Sequence, residues 1–470
     1  MRSSWLRPPR RYAAAVLVSA LALTTVAACG TSSSGGGDNS GGGGSADAST
    51  PLDPKTKVTL TIDCMPPATK KPELKEWNED VAAFNKKYPN VTIQGRSTPG
   101  QCEEPARFTA AIKAHSQPDV FYTYFTDLQQ VLDNNGAEDI SAYVTDKTVP
   151  ALGDIDPNVL GVLKQDGKLY GLPTSNYRMG LLINRKLFTQ AGLDPNNPPT
   201  TWDEVRTDAK AIAKLGNGIA GYGDYSAANT GGWHFTAAMY GLGGDVVSSD
   251  GTKAAFNDDL GKQIVDNLHA MRWDDNSMGQ TQLLKWGDLQ KQMATDKLGM
   301  FLAAPDDITY MVQQLNAKYE NFGMGPIPGG KATLFGGNDY MIKKGSSPDK
   351  IKAAIAWLNF ETLTPGKGTF DYSRRKADGL PVGLPQPAFL TGASKTKDDE
   401  LKAASATMPV ENFKVFMDNP VPGKSEPPKA QEIYKVLDNV MSGVLTNKNA
   451  DPGKLLSDAE KQVNQVLANG

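Results

Sequence analysis

The chain has 470 residues, a formal net charge of −3 and an isoelectric point of about 5.8. That length exceeds one compact core and favours two lobes, and a weakly acidic chain with no basic run excludes electrostatic capture of nucleic acid. Hydrophobic residues make up 39% and charged residues 21%, an ordinary globular balance, and no apolar run beyond the N-terminus reaches the roughly 20 residues that span a bilayer.

Arg2, Arg7, Arg10 and Arg11 precede the apolar stretch 13–23, and small residues close the segment. This is the layout of a secretory signal peptide; the apolar stretch is short for a retained anchor. Val26-Ala27-Ala28-Cys29-Gly30 resembles the bacterial lipobox. The resemblance implies removal of residues 1–28 and a diacylglyceryl group on Cys29. Removing that segment, with its four Arg and no acidic residue, takes the formal charge to −7. Arg10-Arg11 also admits a twin-arginine signal, although Ala14 and Ala15 stand where that motif carries bulkier residues. Residues 30–49 are almost wholly Gly, Ser, Thr, Asp, Asn and Ala and form a flexible tether, so 29–55 joins a lipid to a folded body. In an exported chain Cys64 and Cys102 are expected to form a disulfide. Its loop of about 40 residues restricts the unfolded chain by roughly 4 kcal/mol. Two buried free thiols are the alternative. His115, His234 and His269 are scattered and fit no zinc set, and neither metal nor cofactor is expected.

Val58, Leu60 and Ile62 alternate with polar residues and predict a strand that ends at Cys64-Met65-Pro66-Pro67. Leu74, Trp77, Val81 and Phe84 predict a helix. Val91 and Ile93 open a second strand, Phe108 to His115 a second helix, and Val120–Tyr124 a third strand. This rhythm predicts a parallel sheet with helices on its faces and ligands beyond the strands' carboxyl ends. A turn at Asp166-Gly167 leads to a strand at 169–172 that Pro173 breaks. The patch Thr174–Arg178 then reads as a crossing between lobes, before a buried strand at 181–183. Thr201-Trp202-Asp203-Glu204 fits a capping box. Strands follow near 297–302 and 322–328, then a return at 334–342. Ser347-Pro348 opens a helix, and two amphipathic helices close the chain near 431–444 and 455–467.

Four stretches in order are similar to bacterial extracellular solute-binding proteins of the carbohydrate-importer class, the maltose-binding-like group. They are Gln117-Pro118-Asp119-Val120, 166–184 with Gly171-Leu172-Pro173 and Ile183-Asn184, Thr201–Glu204, and 296–301. The resemblance implies an α/β fold of type II, two lobes with mainly parallel sheets, and a cleft that closes on ligand by a hinge. It places lobe one at 56–174 plus 333–381 and lobe two at 178–332 plus 382–470. It implies a monomeric receptor that hands a solute to two permease subunits and a separate ATPase, since this chain holds no P-loop.

Candidate contacts follow from the family's cleft loops. Met65 ends the first strand. Glu103 and Glu104 offer carboxylates to sugar hydroxyls, or form a solvated pair beside a disulfide. Tyr124, Thr126 and Asp127 end the third strand, with Tyr122 expected in the core. Asn176 suits vicinal hydroxyls, Tyr177 offers a flat face with a polar tip, and Arg178 shares the crossing; the alternative for all three is a structural hinge. Trp233 follows two glycines and either stacks on a pyranose or packs in the core. Pro305-Asp306 departs from relatives that carry an aromatic after the proline, exchanging a stacking surface for an acceptor. Gly337, Asn338 and Asp339 return to the cleft, and Arg374 is a possible cleft cation or a surface residue. A secreted glycoside hydrolase needs two carboxylates across a scissile bond. The sequence supplies carboxylates but no hydrolase motif, so capture without turnover is the expectation. Uptake of a cationic or phosphate-bearing solute is the alternative to a sugar.

Overall fold

The computed structural model describes residues 47–97, 105–386 and 389–468. The alternating stretch at its start forms β1 (Val58–Ile62), with Leu60 and Ile62 buried. In chain order there follow β2 (Val91–Gly95), β3 (Val120–Tyr124), β4 (Lys164–Gln165), β5 (Lys168–Leu169), β6 (Gly171–Arg178) and β7 (Gly180–Asn184). The later strands are β8 (Ala220–Tyr222), β9 (Leu298–Ala303), β10 (Phe322–Gly325), β11 (Thr333–Ile342) and β12 (Gly423–Ser425). β4 and β5 form a hairpin whose turn residues, Asp166 and Gly167, both have positive φ.

The first sheet has the order β12-β11-β3-β1-β2, with β6 on the far edge of β11. The second has the order β10-β7-β9-β8. The expectation of mainly parallel sheets needs correction in the second, where β7 is antiparallel to both neighbours and only β8 and β9 are parallel. The cause is the crossing itself. β7 starts where the chain arrives from the first sheet and runs away from it. β9 and β10 run back, so that Gly180 and Leu181 pair with Ala303 and Gly325 at their ends. β11 makes the return passage and is antiparallel to β3 and β6 for the same reason.

Pro173 does not break its strand. β6 lies on the edge of the sheet and pairs with β11 alone, so a residue without an N–H is tolerated there, at a register shift opposite Asn338 and Asp339. Each sheet has its own core. Trp77, Phe84 and Trp357 stack edge-on in the first, between the helices Lys71–Lys87 and Pro348–Thr362. Trp202, Phe235, Phe256 and Leu437 lie in the second. Val382, Phe389 and Leu390 pack into the first core, whereas Met408 and Phe413 pack beneath the second sheet.

Candidate functional site

The strand register brings two chain ends together on one edge of β11. β3 runs antiparallel to β11 and stops with Tyr124 opposite Asn338; β12 runs parallel to it and stops with Ser425 opposite Phe335. Both ends therefore face Gly336–Gly337 from opposite directions. The residues that follow, the 3-10 turn Phe125–Asp127 and Glu426, are delivered to the same gap. On the other edge of β11, Gly336 and Gly337 pair with Tyr177 and Asn176, the latter buried. A Cβ on Gly336 would lie 2.3 Å from the Tyr177 hydroxyl oxygen, and one on Gly337 2.4 Å from the Ser175 carbonyl oxygen. Glycine at 337 thus lets the backbone of β6 approach β11, while glycine at 336 makes room for the Tyr177 side chain.

Asp127 is held by the turn that it caps, accepting the Tyr124 N–H at 2.9 Å. Loss of hydration pushes its carboxyl up to about 6. Glu426 accepts the Tyr434 hydroxyl at 3.0 Å, and its carboxyl is pushed up to about 7 by loss of hydration, with the Asp127 charge adding to the shift. Each carboxylate accepts one hydrogen bond among the described residues and keeps lone pairs for a solute. Trp233, half-buried, lies on the helix Thr230–Leu242 and meets Tyr177 edge to face, with centroids 6.0 Å apart at 84°. Asp438 fixes the start of that helix by accepting the Asn229 and Gly232 N–H groups at 2.7 and 2.9 Å.

A groove of about 580 Å³ opens between the first sheet and the helix Asp306–Leu315. Tyr122, Tyr340, Thr174 and Ser175 line one side, Thr309 and Gln313 the other. Tyr122, expected in the core, is instead half-buried on this wall, in edge contact with the exposed Tyr124. Asp306 is exposed at the head of the helix, 3.4 Å from the Gln386 amide, and Pro305 before it is buried. Asp307 is buried, accepts from Trp286 and Gln290, and is pushed up to about 7 by loss of hydration and by Asp306.

Other expected contacts lie apart from the gap or are engaged with protein. Met65 packs over Gly95 against the first core. Thr126 is half-buried within the turn. Asn338 donates to the Ser175 hydroxyl at 3.0 Å and so ties β11 to β6. Asp339 is fully buried and accepts the Thr123 hydroxyl at 2.6 Å, and burial raises its carboxyl far above the usual range. The Arg178 guanidinium turns to Asp156 at 2.9 Å. Arg374 forks Asp80, with one contact at 2.9 Å, and Arg375 binds Glu76. His234 is packed against Asp224 at 2.7 Å. Cys29, Cys102, Glu103 and Glu104 lie outside the described residues. Glu426 escaped the sequence reading, because β12 is three residues long and its surroundings, Pro420 to Pro428, carry no periodicity; Tyr434 lies on the helix predicted near 431–444 but was not singled out.

Residues 68–365 match the family model described as bacterial extracellular solute-binding protein. Among solved structures, the cyclic alpha-maltosyl-1,6-maltose binding protein from Arthrobacter globiformis is 22% identical with a TM-score of 0.69, and the match covers 88% of this chain and 100% of that one. A solute binding protein of an ABC transporter from Thermotoga lettingae TMO, bound with alpha-D-tagatose, is 21% identical with a TM-score of 0.67 over the same shares. UgpB from Mycobacterium tuberculosis, in complex with glycerophosphocholine, is 16% identical with a TM-score of 0.66, covering 87% of this chain and 98% of that one. The fold is thus that of the two-lobed type II periplasmic binding proteins. Among the described residues no helix is long and apolar enough to cross a membrane.

Proposed function

The chain belongs to the bacterial extracellular solute-binding proteins, and from that membership we propose that it is the receptor of an ABC importer for a sugar or oligosaccharide. It captures the solute by hinge closure, without chemical turnover, and delivers it as a monomer to two permease subunits driven by a separate ATPase. Cys29 carries the lipid that holds it on the outer face of the cell membrane, and Cys64 pairs with Cys102. The lobes take residues 56–174 with 333–381 and 178–332 with 382–470, with Val382, Phe389 and Leu390 packing on the first core.

One observation carries the reading of the ligand: Asp127 and Glu426 converge on Gly336–Gly337 beside the Tyr177–Trp233 pair. Carboxylates accept paired hydroxyls and aromatic faces cover the apolar side of a pyranose, which is how a neutral polyhydroxylated solute is held. The arginines first considered for the cleft are engaged by Asp156, Asp80 and Glu76, which argues against a phosphate-bearing ligand. The same two carboxylates support a second reading, a cationic solute.

A thermal-shift screen over neutral saccharides, polyols, betaines and glycerophosphodiesters tests this. A saccharide is expected to raise the melting temperature by mass action, by about 2.7 kcal/mol of stability at a hundredfold excess over Kd. Shifts confined to betaines or to glycerophosphodiesters would replace the sugar reading.

A further inference from the structure

A second cavity, of about 200 Å³, lies in the first core's outer surface, away from the cleft. Its floor is apolar: Phe84 and Tyr88 from the end of one helix, Ile355 and Phe360 from another. Its rim carries Lys87, Lys147, Lys352 and Lys367, and no carboxylate is among its lining residues. Lys352 is buried and donates to the Asp47 carbonyl at 2.8 Å and the Thr50 hydroxyl at 2.7 Å, which leaves its charge in place. Asp47, just outside, is the acidic group that feels Lys147 and Lys352. Lys87, Lys147 and Lys367 are exposed. Four like charges around a concave apolar floor repel one another and focus a positive potential into it, a cost that an anion would relieve. Asn359 adds a carbonyl oxygen, buried and with no hydrogen-bond partner, which calls for a donor such as a hydroxyl.

We propose that this pocket is a second binding site, for a phosphate with a short polyol arm, supplied by the headgroup of an anionic lipid or free in solution. Lysines bind phosphate as point charges, without the planar fork that a carboxylate favours. A cavity of this size holds roughly seven waters' worth of volume, enough for a phosphate and three carbons. The lipid source is favoured by position. Thr50 and Pro51 line the pocket, and residues 30–49 lead from them back to Cys29. That length of chain spans at most about 70 Å. The pocket therefore stays within that reach of the proposed lipid anchor; the binding itself does not depend on that anchor.

The test uses the full chain with Cys29→Ser, so that no acyl chain contributes, sedimented with vesicles of phosphatidylcholine alone or mixed with phosphatidylglycerol. Binding is expected to the anionic vesicles only. A Lys87→Ala/Lys367→Ala variant should weaken it by about 25-fold, at roughly fivefold per lysine. Lys262→Ala/Lys454→Ala, with the same charge change on helices of the second core, should stay within about threefold of the parent. In a parallel arm a glycerol phosphate and inorganic phosphate are titrated calorimetrically. Binding there, lost in the first variant and without vesicle binding, assigns the site to a free phosphate. No binding in either arm, or equal losses in the two variants, overturns the proposal. The four substituted lysines, Lys87, Lys367, Lys262 and Lys454, are exposed, so melting temperatures should not move, and saccharide binding in the cleft should be unchanged whichever way the test falls.

Discussion

Gly336 and Gly337 sit side by side, but a methyl group added to each meets a different kind of neighbour. At Gly337 it meets the Ser175 carbonyl oxygen at 2.4 Å and the Phe125 ring at 2.6 Å. Backbone cannot yield there without loosening β6 from β11. Gly337→Ala is therefore expected to cost about 1–3 kcal/mol, read as a lowered melting temperature. At Gly336 the obstacle is the far end of the Tyr177 side chain, 2.3 Å away, which can swing aside. Gly336→Ala should leave stability within about 1 kcal/mol and weaken solute binding, because Tyr177 leaves its position against Trp233. Titration calorimetry beside melting curves separates the two. Trp233→Phe belongs to the same test. It keeps the packing against both neighbouring cores and shortens the aromatic face, so affinity should fall with little change in melting temperature. An unchanged affinity would remove Trp233 from the site.

At the scale of elements, local chemistry was legible where a few adjacent residues decide the outcome. The Thr201–Glu204 capping box forms as read, with both reciprocal bonds present at 3.3 and 3.0 Å. Ser347 caps its helix by accepting the Lys350 N–H. What could not be read were features fixed by sheet position. Pro173 looked like a strand end because its tolerance depends on β6 being an edge. Glu426 reaches the Gly336–Gly337 gap only because β12 stops opposite Phe335. The arginines were ambiguous for a related reason: their partners are distant in sequence. Arg374 joins the short helix Tyr372–Ala377 to Asp80 on Lys71–Lys87, and Asp80 is almost fully buried. Arg374→Ala should strand that carboxylate and cost about 3–5 kcal/mol, seen in denaturant unfolding. The Arg178–Asp156 pair is more exposed, so Arg178→Met should cost only about 1–2 kcal/mol. Solute affinity should stay within about threefold; a loss of a hundredfold would return Arg178 to the list of ligand contacts.

Across the whole molecule four carboxyls are shifted the same way. Asp63, Asp307 and Glu426 are pushed up to about 7 and Asp127 to about 6, against ordinary values of 3.8 for Asp and 4.5 for Glu, all chiefly by loss of hydration. A carboxyl whose value is raised by folding stabilises the fold when protonated. That contribution is complete below about 4 and is lost as pH rises through 6 to 7. Acidic groups with lowered values, such as Asp250 at about 2 and the Arg206-paired Asp275, act in the opposite sense only below about pH 4. The unliganded protein is therefore expected to melt at a higher temperature at pH 5 than at pH 8, and Glu426→Gln should flatten part of that slope. The same titrations discriminate between ligands. A neutral sugar finds hydrogen-bond partners in a carboxylate or a carboxylic acid, so its affinity should change by no more than about threefold between pH 8 and 5.5. A cation needs the charge, and as Asp127 and Glu426 take up protons below pH 7 its affinity should fall, approaching tenfold per pH unit for each group that must ionise to hold it. Calorimetric titration at the two pH values thus separates the two proposed ligands, a neutral sugar and a cation, at the carboxylates that converge on Gly336–Gly337.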